Sequence, residues 1–117
     1  MQPITIYHNP KCSKSRETLA LLTEKGIEPQ IILYLDAPPS INTLKTLLKQ
    51  LGFESARQLM RTKDDLYKEL ELDNEKLNEE QLLTAMHQNP KLIERPIVVA
   101  NGKAKIGRPP ESVLLIL

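Results

Sequence analysis

The first 35 residues alternate between strand and helix patterns, and this alternation restricts the fold more than any other feature of the sequence. The segment Ile4-Thr5-Ile6-Tyr7 is short and rich in β-branched residues, which predicts a strand. Leucines recur at helical spacing from Ser13 to Lys25, and Gly26 provides a C-terminal stop. Residues 30–35 are almost continuously apolar, which predicts a strand covered on both faces. Such a strand–helix–strand unit normally pairs its strands in parallel.

The middle of the chain has helical patterns only. Ser40 is suited to cap a helix that ends at Gly52, and Asn78 with Gln81 resembles a capping box that opens a further helix. Between them, two shorter helical pieces are expected near residues 55–60 and 64–70. We interpret residues 40–89 as a helical insertion.

The C-terminal part returns to strand patterns. Residues 97–100 predict a strand, Asn101-Gly102 favours a type I′ hairpin turn, and residues 103–106 return antiparallel. A last helix is expected after Pro109 and Pro110, docked on the sheet through its apolar residues Val113, Leu114, Ile116 and Leu117. Together these patterns predict a single α/β domain over residues 1–117, with a thioredoxin-like layout and the helical insertion between its second strand and its hairpin.

Composition excludes several classes of protein. With 40% hydrophobic and 26% charged residues the chain is expected to fold, and a net charge of +1 argues against nucleic-acid binding through bulk charge. No apolar run approaches the roughly 20 residues of a membrane helix, and the N-terminus lacks the features of a signal peptide. Cys12 is the only cysteine, so an internal disulfide and a metal site made of thiols alone are excluded. We expect no bound metal, and a reducing cytoplasm is the expected location.

Charge is distributed unevenly along the chain. Residues 63–80 hold eight acidic and three basic residues, so the remainder of the chain carries a net charge of +6. A solvated acidic helical face explains the acidic run, and the remainder is able to form a positive cleft that attracts small anions.

Cys12 is the principal candidate for chemistry. It lies just after a strand and a turn, at the start of a helix, where unpaired N–H groups and the helix dipole favour a thiolate. The basic residues Lys11, Lys14 and Arg16 are close in sequence and are expected to lower the thiol pKa further. The alternative, a small core residue, fits poorly with these polar neighbours.

Two further residues are candidates for a supporting role. Ser15 is suited either to donate a hydrogen bond to the thiolate or to a bound oxyanion, or to act as an ordinary hydroxyl of the first helical turn. His8 would stabilise the thiolate if it were charged, and otherwise is a turn histidine bonded to backbone. In a thioredoxin-like frame Pro96 is expected to be cis and to face the cysteine, which would bring Arg95 close to Cys12.

The chain closely resembles the glutaredoxin-linked arsenate reductase family, the ArsC type, and within it the short members called arsenate reductase-related proteins. The resemblance covers essentially the whole sequence and is strongest in segments 8–16, 31–39, 92–99 and 107–109. It implies a thioredoxin-like fold, a nucleophilic Cys12 that attacks arsenate, and three oxyanion-binding arginines at Arg61, Arg95 and Arg108. It also implies glutathione as co-substrate and glutaredoxin as partner, with no bound cofactor.

Two alternatives stay open. An Spx-like regulator has the same fold, binds RNA polymerase and would use Cys12 as a redox sensor. A glutathione-dependent thiol–disulfide oxidoreductase would use Cys12 without acting on arsenate. The set of three arginines favours the reductase.

Overall fold

A four-stranded mixed sheet forms the framework of the first of two compact units. The computed structural model describes residues 4–117, and this unit comprises the chain through Ala37 together with Arg95–Leu117. The strands are β1 (Thr5–Tyr7), β2 (Gln30–Ile32), β3 (Ile97–Ala100) and β4 (Lys103–Ile106), in the order β2-β1-β3-β4. β1 pairs with β2 in parallel, as the crossover predicted, and β3 is antiparallel to both β1 and β4.

One α-helix and one 3-10 helix pack against this sheet. The helix α1 spans Ser13–Glu24, and the 3-10 helix spans Pro110–Ile116. They share an apolar core with β1 and β3, whose buried members are Ile6, Leu22, Val98, Ala100, Val113 and Ile116. Removing these side chains from water stabilises the unit and fixes the position of α1, and therefore of the loop that precedes it.

The hairpin turn and the helix stop lie where the sequence predicted them. Asn101 and Gly102 both have positive φ, 54° and 75°, which a type I′ turn requires. Gly26 has a φ of 77° directly after the last turn of α1 and donates to the carbonyl of Thr23. Both predictions are confirmed, since left-handed backbone is favoured at glycine and tolerated at asparagine.

The second unit, Pro38–Glu94, is helical. It contains α2 (Ile41–Leu51), α3 (Asp65–Glu69) and α4 (Glu79–Gln88), with 3-10 helices at Ala56–Leu59 and Pro90–Leu92. The predicted caps are confirmed: the Ser40 side chain accepts from Thr43 N–H, and Asn78 with Gln81 forms a reciprocal capping box. α4 packs against α2 and both 3-10 helices, which buries the side chains of Leu44, Leu47, Leu59, Leu82, Leu83, Met86 and Leu92.

Two elements differ from prediction. β2 ends at Ile32 and lies at the edge of the sheet, with Ile31 48% and Leu33 40% exposed, so the prediction of a strand covered on both faces was wrong. In the C-terminal segment Val113 and Ile116 are buried, whereas Leu114 and Leu117 are exposed. The reason is that the segment is a 3-10 helix, whose three residues per turn place positions i and i+3 on one face.

The mixed sheet with its helices confirms the predicted α/β, thioredoxin-like fold. Within residues 4–117, no helix is both long enough and apolar enough to span a membrane.

Candidate active site

Cys12 lies at the junction between the β1 strand and α1. It is the N-cap residue of α1, half-buried, and its backbone N–H donates to the carbonyl of Asn9 at 3.0 Å. The amide of Arg16 donates to the Cys12 carbonyl at 3.0 Å, which closes the first helical turn beneath the thiol. The sulfur therefore faces the unpaired N–H groups of a helix start, where a negative charge is favoured.

Two arginines from the other end of the sequence lie at the thiol. Arg108 Nη2 is 3.6 Å from Cys12 Sγ, and Arg108 Nε donates to the carbonyl of Arg95 at 2.8 Å. Two nitrogen atoms of the Arg95 side chain, Nε and Nη1, are buried and have no hydrogen-bond partner in residues 4–117. Buried polar atoms are almost always paired, so these donors mark a place for an acceptor such as an anion.

The pKa of the Cys12 thiol is lowered from its ordinary value. Burial of the thiol raises the pKa, but the backbone N–H groups of Ser15 and Lys14 and the positive charges of Arg95 and Arg108 lower it by more. N–H donors and positive charges favour the thiolate over the neutral thiol, which is why these groups lower the pKa. A larger fraction of Cys12 is consequently thiolate at neutral pH than for an unperturbed cysteine.

The three basic side chains next to Cys12 in sequence are exposed to solvent. Lys11 is exposed, Lys14 pairs with Glu17 at 3.4 Å, and Arg16 is exposed and donates to the carbonyl of Pro10 at 3.5 Å. The charges that are seen to lower the thiol pKa are those of Arg95 and Arg108, together with the backbone N–H of Lys14. A contribution from the side chains of Lys11, Lys14 and Arg16 stays a prediction.

His8, Ser15 and Asn9 form a buried network under the cysteine loop. His8 Nδ1 lies 2.6 Å from Ser15 Oγ, and the Asn9 amide donates to the same oxygen at 3.0 Å. Burial lowers the pKa of His8, which favours its neutral form, and the ring is bonded to the Ser15 hydroxyl, so the structure favours a supporting role for His8 without a charge. The Ser15 hydroxyl is bonded to His8 and Asn9, and Ser15 acts on Cys12 through its backbone N–H.

Pro96 follows Arg95 and precedes β3. The Arg95–Pro96 peptide bond is cis, as predicted, and the Arg108–Pro109 bond is cis as well, which the sequence did not indicate. Both arginines that lower the thiol pKa thus precede a cis proline.

Arg61, the third predicted arginine, belongs to the second unit. Its Nη1 lies 3.1 Å from Asp64 Oδ2, its Nε lies 4.0 Å from Glu94 Oε1, and its amide donates to the carbonyl of Leu92. The two carboxylates were not singled out in the sequence, although Asp64 lies three residues after Arg61 and Glu94 directly precedes Arg95. The structure brings Cys12, Arg95 and Arg108 together, and the role of Arg61 in the site stays a prediction.

This arrangement combines a nucleophile with anion-binding groups. An activated thiol at a helix start is able to attack an electrophilic centre, and a guanidinium group with unpartnered donors, such as that of Arg95, is able to hold an oxyanion through charge-assisted bonds. Within residues 4–117, no group of three or more His, Cys, Asp or Glu side chains is placed to hold a metal ion.

The comparisons with known proteins agree with this chemistry. A family model described as the ArsC family matches residues 7–116. The chain belongs to this family. It is 59% identical to an arsenate reductase of Haemophilus influenzae over 97% of this chain and 98% of the relative. It is also 65% identical to the protein YfgD of Escherichia coli K12, over 97% of this chain and 96% of that protein.

A solved structure shows the same fold over nearly the whole chain. The arsenate reductase from Vibrio cholerae is 59% identical, with a TM-score of 0.97 over 98% of both chains. The ArsC family assignment inferred from the sequence motifs is confirmed by these matches.

Proposed function

We propose that this protein is an arsenate reductase that converts arsenate to arsenite through Cys12, with glutathione and glutaredoxin as external reductants. The observation that carries the proposal is the pair of buried, unpartnered donors of Arg95 beside a thiol of lowered pKa. Arsenate is a tetrahedral oxyanion with an electrophilic centre, so it supplies both the acceptors for Arg95 and the target for the thiolate. Relatives named arsenate reductase at 54–59% identity support this substrate.

The first step forms a bond between Cys12 Sγ and arsenic. The thiolate attacks arsenate, and a hydroxyl group on arsenic takes a proton and leaves as water, so an S–As bond replaces an As–O bond and the product is a thioarsenate ester on Cys12. Arg95 and Arg108 hold the remaining oxygens, and the N–H groups at the start of α1 stabilise the charge that develops on them. Arg61 is the third proposed oxygen ligand, as the family resemblance implies.

The second step is the reduction, and it requires an outside thiol. Cys12 is the only cysteine in the sequence, so an internal disulfide cannot form. A glutathione thiolate attacks Cys12 Sγ, an S–S bond forms, and the electron pair of the S–As bond stays on arsenic, which leaves as arsenite after protonation. A glutaredoxin thiolate then attacks the glutathione sulfur of the mixed disulfide and releases the Cys12 thiolate. The reducing cytoplasm is the proposed location of this cycle, with no bound cofactor.

The test is a coupled assay of arsenate-dependent NADPH oxidation with glutathione, glutaredoxin and glutathione reductase. We expect turnover in the unaltered protein, none in Cys12→Ser, and nearly full turnover in Lys11→Ala, which removes an exposed charge near the thiol. Residual turnover in Cys12→Ser would contradict the mechanism. If arsenate is inactive while a glutathione mixed disulfide is turned over, the protein is a thiol–disulfide oxidoreductase. If both are inactive, direct binding to RNA polymerase distinguishes the Spx-like regulator.

A further inference from the structure

Gly107 occupies a tightly enclosed position directly after β4. Its backbone N–H donates to the carbonyl of Pro96 at 2.9 Å. A Cβ atom added at this glycine would lie 2.9 Å from Pro96 Cγ and 3.1 Å from Thr18 Cγ2, and it would overlap Thr18 Oγ1 still more. Carbon atoms pack favourably at about 3.5–4.0 Å, so the site has no room for a methyl group.

Neither neighbour is free to make that room. Thr18 is fully buried in α1, and its hydroxyl donates to the carbonyl of Lys14 at 2.8 Å. Pro96 is buried and carries a ring instead of a flexible side chain. The displacement caused by a methyl group at position 107 would therefore fall largely on the backbone of residue 107 itself.

A displacement of this backbone would be transmitted to the active site. Arg108 is the next residue, and its guanidinium contacts both the Arg95 carbonyl, at 2.8 Å, and Cys12 Sγ, at 3.6 Å. Hydrogen-bond strength depends on distance and on angle, so a shift of about 0.5 Å weakens contacts of this length.

We propose that Gly107 is a positioning residue for the Cys12 thiolate: its lack of a side chain lets the end of β4 approach Thr18 and Pro96 closely enough to hold Arg108 against the sulfur. The proposal deepens the proposed function and rests on it for the contribution of Arg108 to turnover. Its effect on the thiol does not depend on arsenate, and this effect is the one to measure.

The experiment follows alkylation of Cys12 by iodoacetamide as a function of pH. In Gly107→Ala we expect the rate below the thiol pKa to fall about two- to fivefold, because the thiolate loses part of a partly exposed charge interaction. Gly102→Ala is the matched control at the other end of the same hairpin. Its φ is 75° and an added Cβ meets nothing within 4 Å, so it strains the turn without touching Arg108, and its alkylation profile should be unchanged.

A double-mutant cycle separates positioning from a general loss of structure. If Gly107 acts through Arg108, Gly107→Ala has no further effect on alkylation in an Arg108→Ala background. Thr18→Ala with Gly107→Ala removes two of the three overlapping atoms and should recover part of the alkylation rate. This double variant, compared with Thr18→Ala alone, also serves as the test if Gly107→Ala does not fold.

An unchanged alkylation profile in folded Gly107→Ala, or additive effects with Arg108→Ala, would overturn the proposal. A failure of arsenate turnover in the unaltered protein would contradict the proposed function instead, because iodoacetamide reports on the thiol without arsenate.

Discussion

Replacing Arg95 by methionine should make the protein more stable and less active. The side chain holds two buried donor atoms without partners, and leaving a buried donor unpaired costs about 1–3 kcal/mol. Methionine has a similar length and no donors, so it removes this cost. Because Arg95 is partly exposed, we expect the free energy of unfolding to rise by only about 1–2 kcal/mol, equivalent to an increase in Tm of about 4–8 °C.

The same substitution removes the groups proposed to bind arsenate. Hydrogen bonds to a charged partner contribute about 1.5–3 kcal/mol, so kcat/KM for arsenate should fall about 10- to 150-fold. The pKa of the Cys12 thiol should also rise, since the Arg95 charge is one of the causes that lower it.

Urea unfolding and the coupled arsenate assay measure the two effects on the same preparation. Lys11→Met is the matched control, because it removes one positive charge from an exposed side chain near the thiol and should change neither quantity appreciably. A loss of stability in Arg95→Met would show that the guanidinium is satisfied within the folded protein. An unchanged kcat/KM would remove Arg95 from the substrate site.

Three further predictions concern stability. Burial lowers the pKa of His8, so the unfolded chain binds more protons at pH values between the folded-state pKa and the unfolded value of about 6.5. The unaltered protein should therefore lose more stability than His8→Asn as pH falls through that range. The lowered pKa of the Cys12 thiol also makes stability rise with pH. The free energy of unfolding, relative to that of Cys12→Ser, should grow as pH rises from the folded-state pKa towards the unfolded value near ~8.5. Asp64→Ala removes both the α3 cap and the nearer of the two carboxylates that pair with Arg61, which should cost about 1–3 kcal/mol in urea unfolding, whereas Asp64→Asn keeps the cap and should recover part of it.

Features determined by neighbours in sequence were predictable. The type I′ turn at Asn101-Gly102, the helix stop at Gly26 and the capping box at Asn78 each depend on two to four consecutive residues. For such features the sequence contains both interacting groups at a fixed spacing.

Features determined by tertiary environment were not predictable from the pattern alone. The apolar segment around Ile31 and Leu33 reads as a buried strand, but the strand order places β2 at the sheet edge. A run of apolar residues does not specify how many neighbours its strand will have. The C-terminal segment was expected to be helical, but its 3-10 geometry, and therefore which of its leucines are buried, could not be read from the residues.

The active site likewise combines features set by sequence neighbours with features set by the tertiary fold. Cys12 was identified from its own surroundings, because a helix start is visible in sequence. The charges that lower its pKa come from Arg95 and Arg108, more than 80 residues away, and only the fold and the family resemblance pointed to them. The unpartnered donors of Arg95 and the tight enclosure of Gly107 could not be inferred from the sequence, because they depend on which atoms the fold brings close together.

The most direct test of the central claim is mass spectrometry of the protein after incubation with arsenate and glutathione in the absence of glutaredoxin. If Cys12 is the nucleophile that arsenate oxidises, a glutathione adduct should accumulate on Cys12, only when arsenate is present, and in step with the arsenite released. An adduct that forms equally without arsenate, or arsenite release without an adduct on Cys12, would contradict the claim.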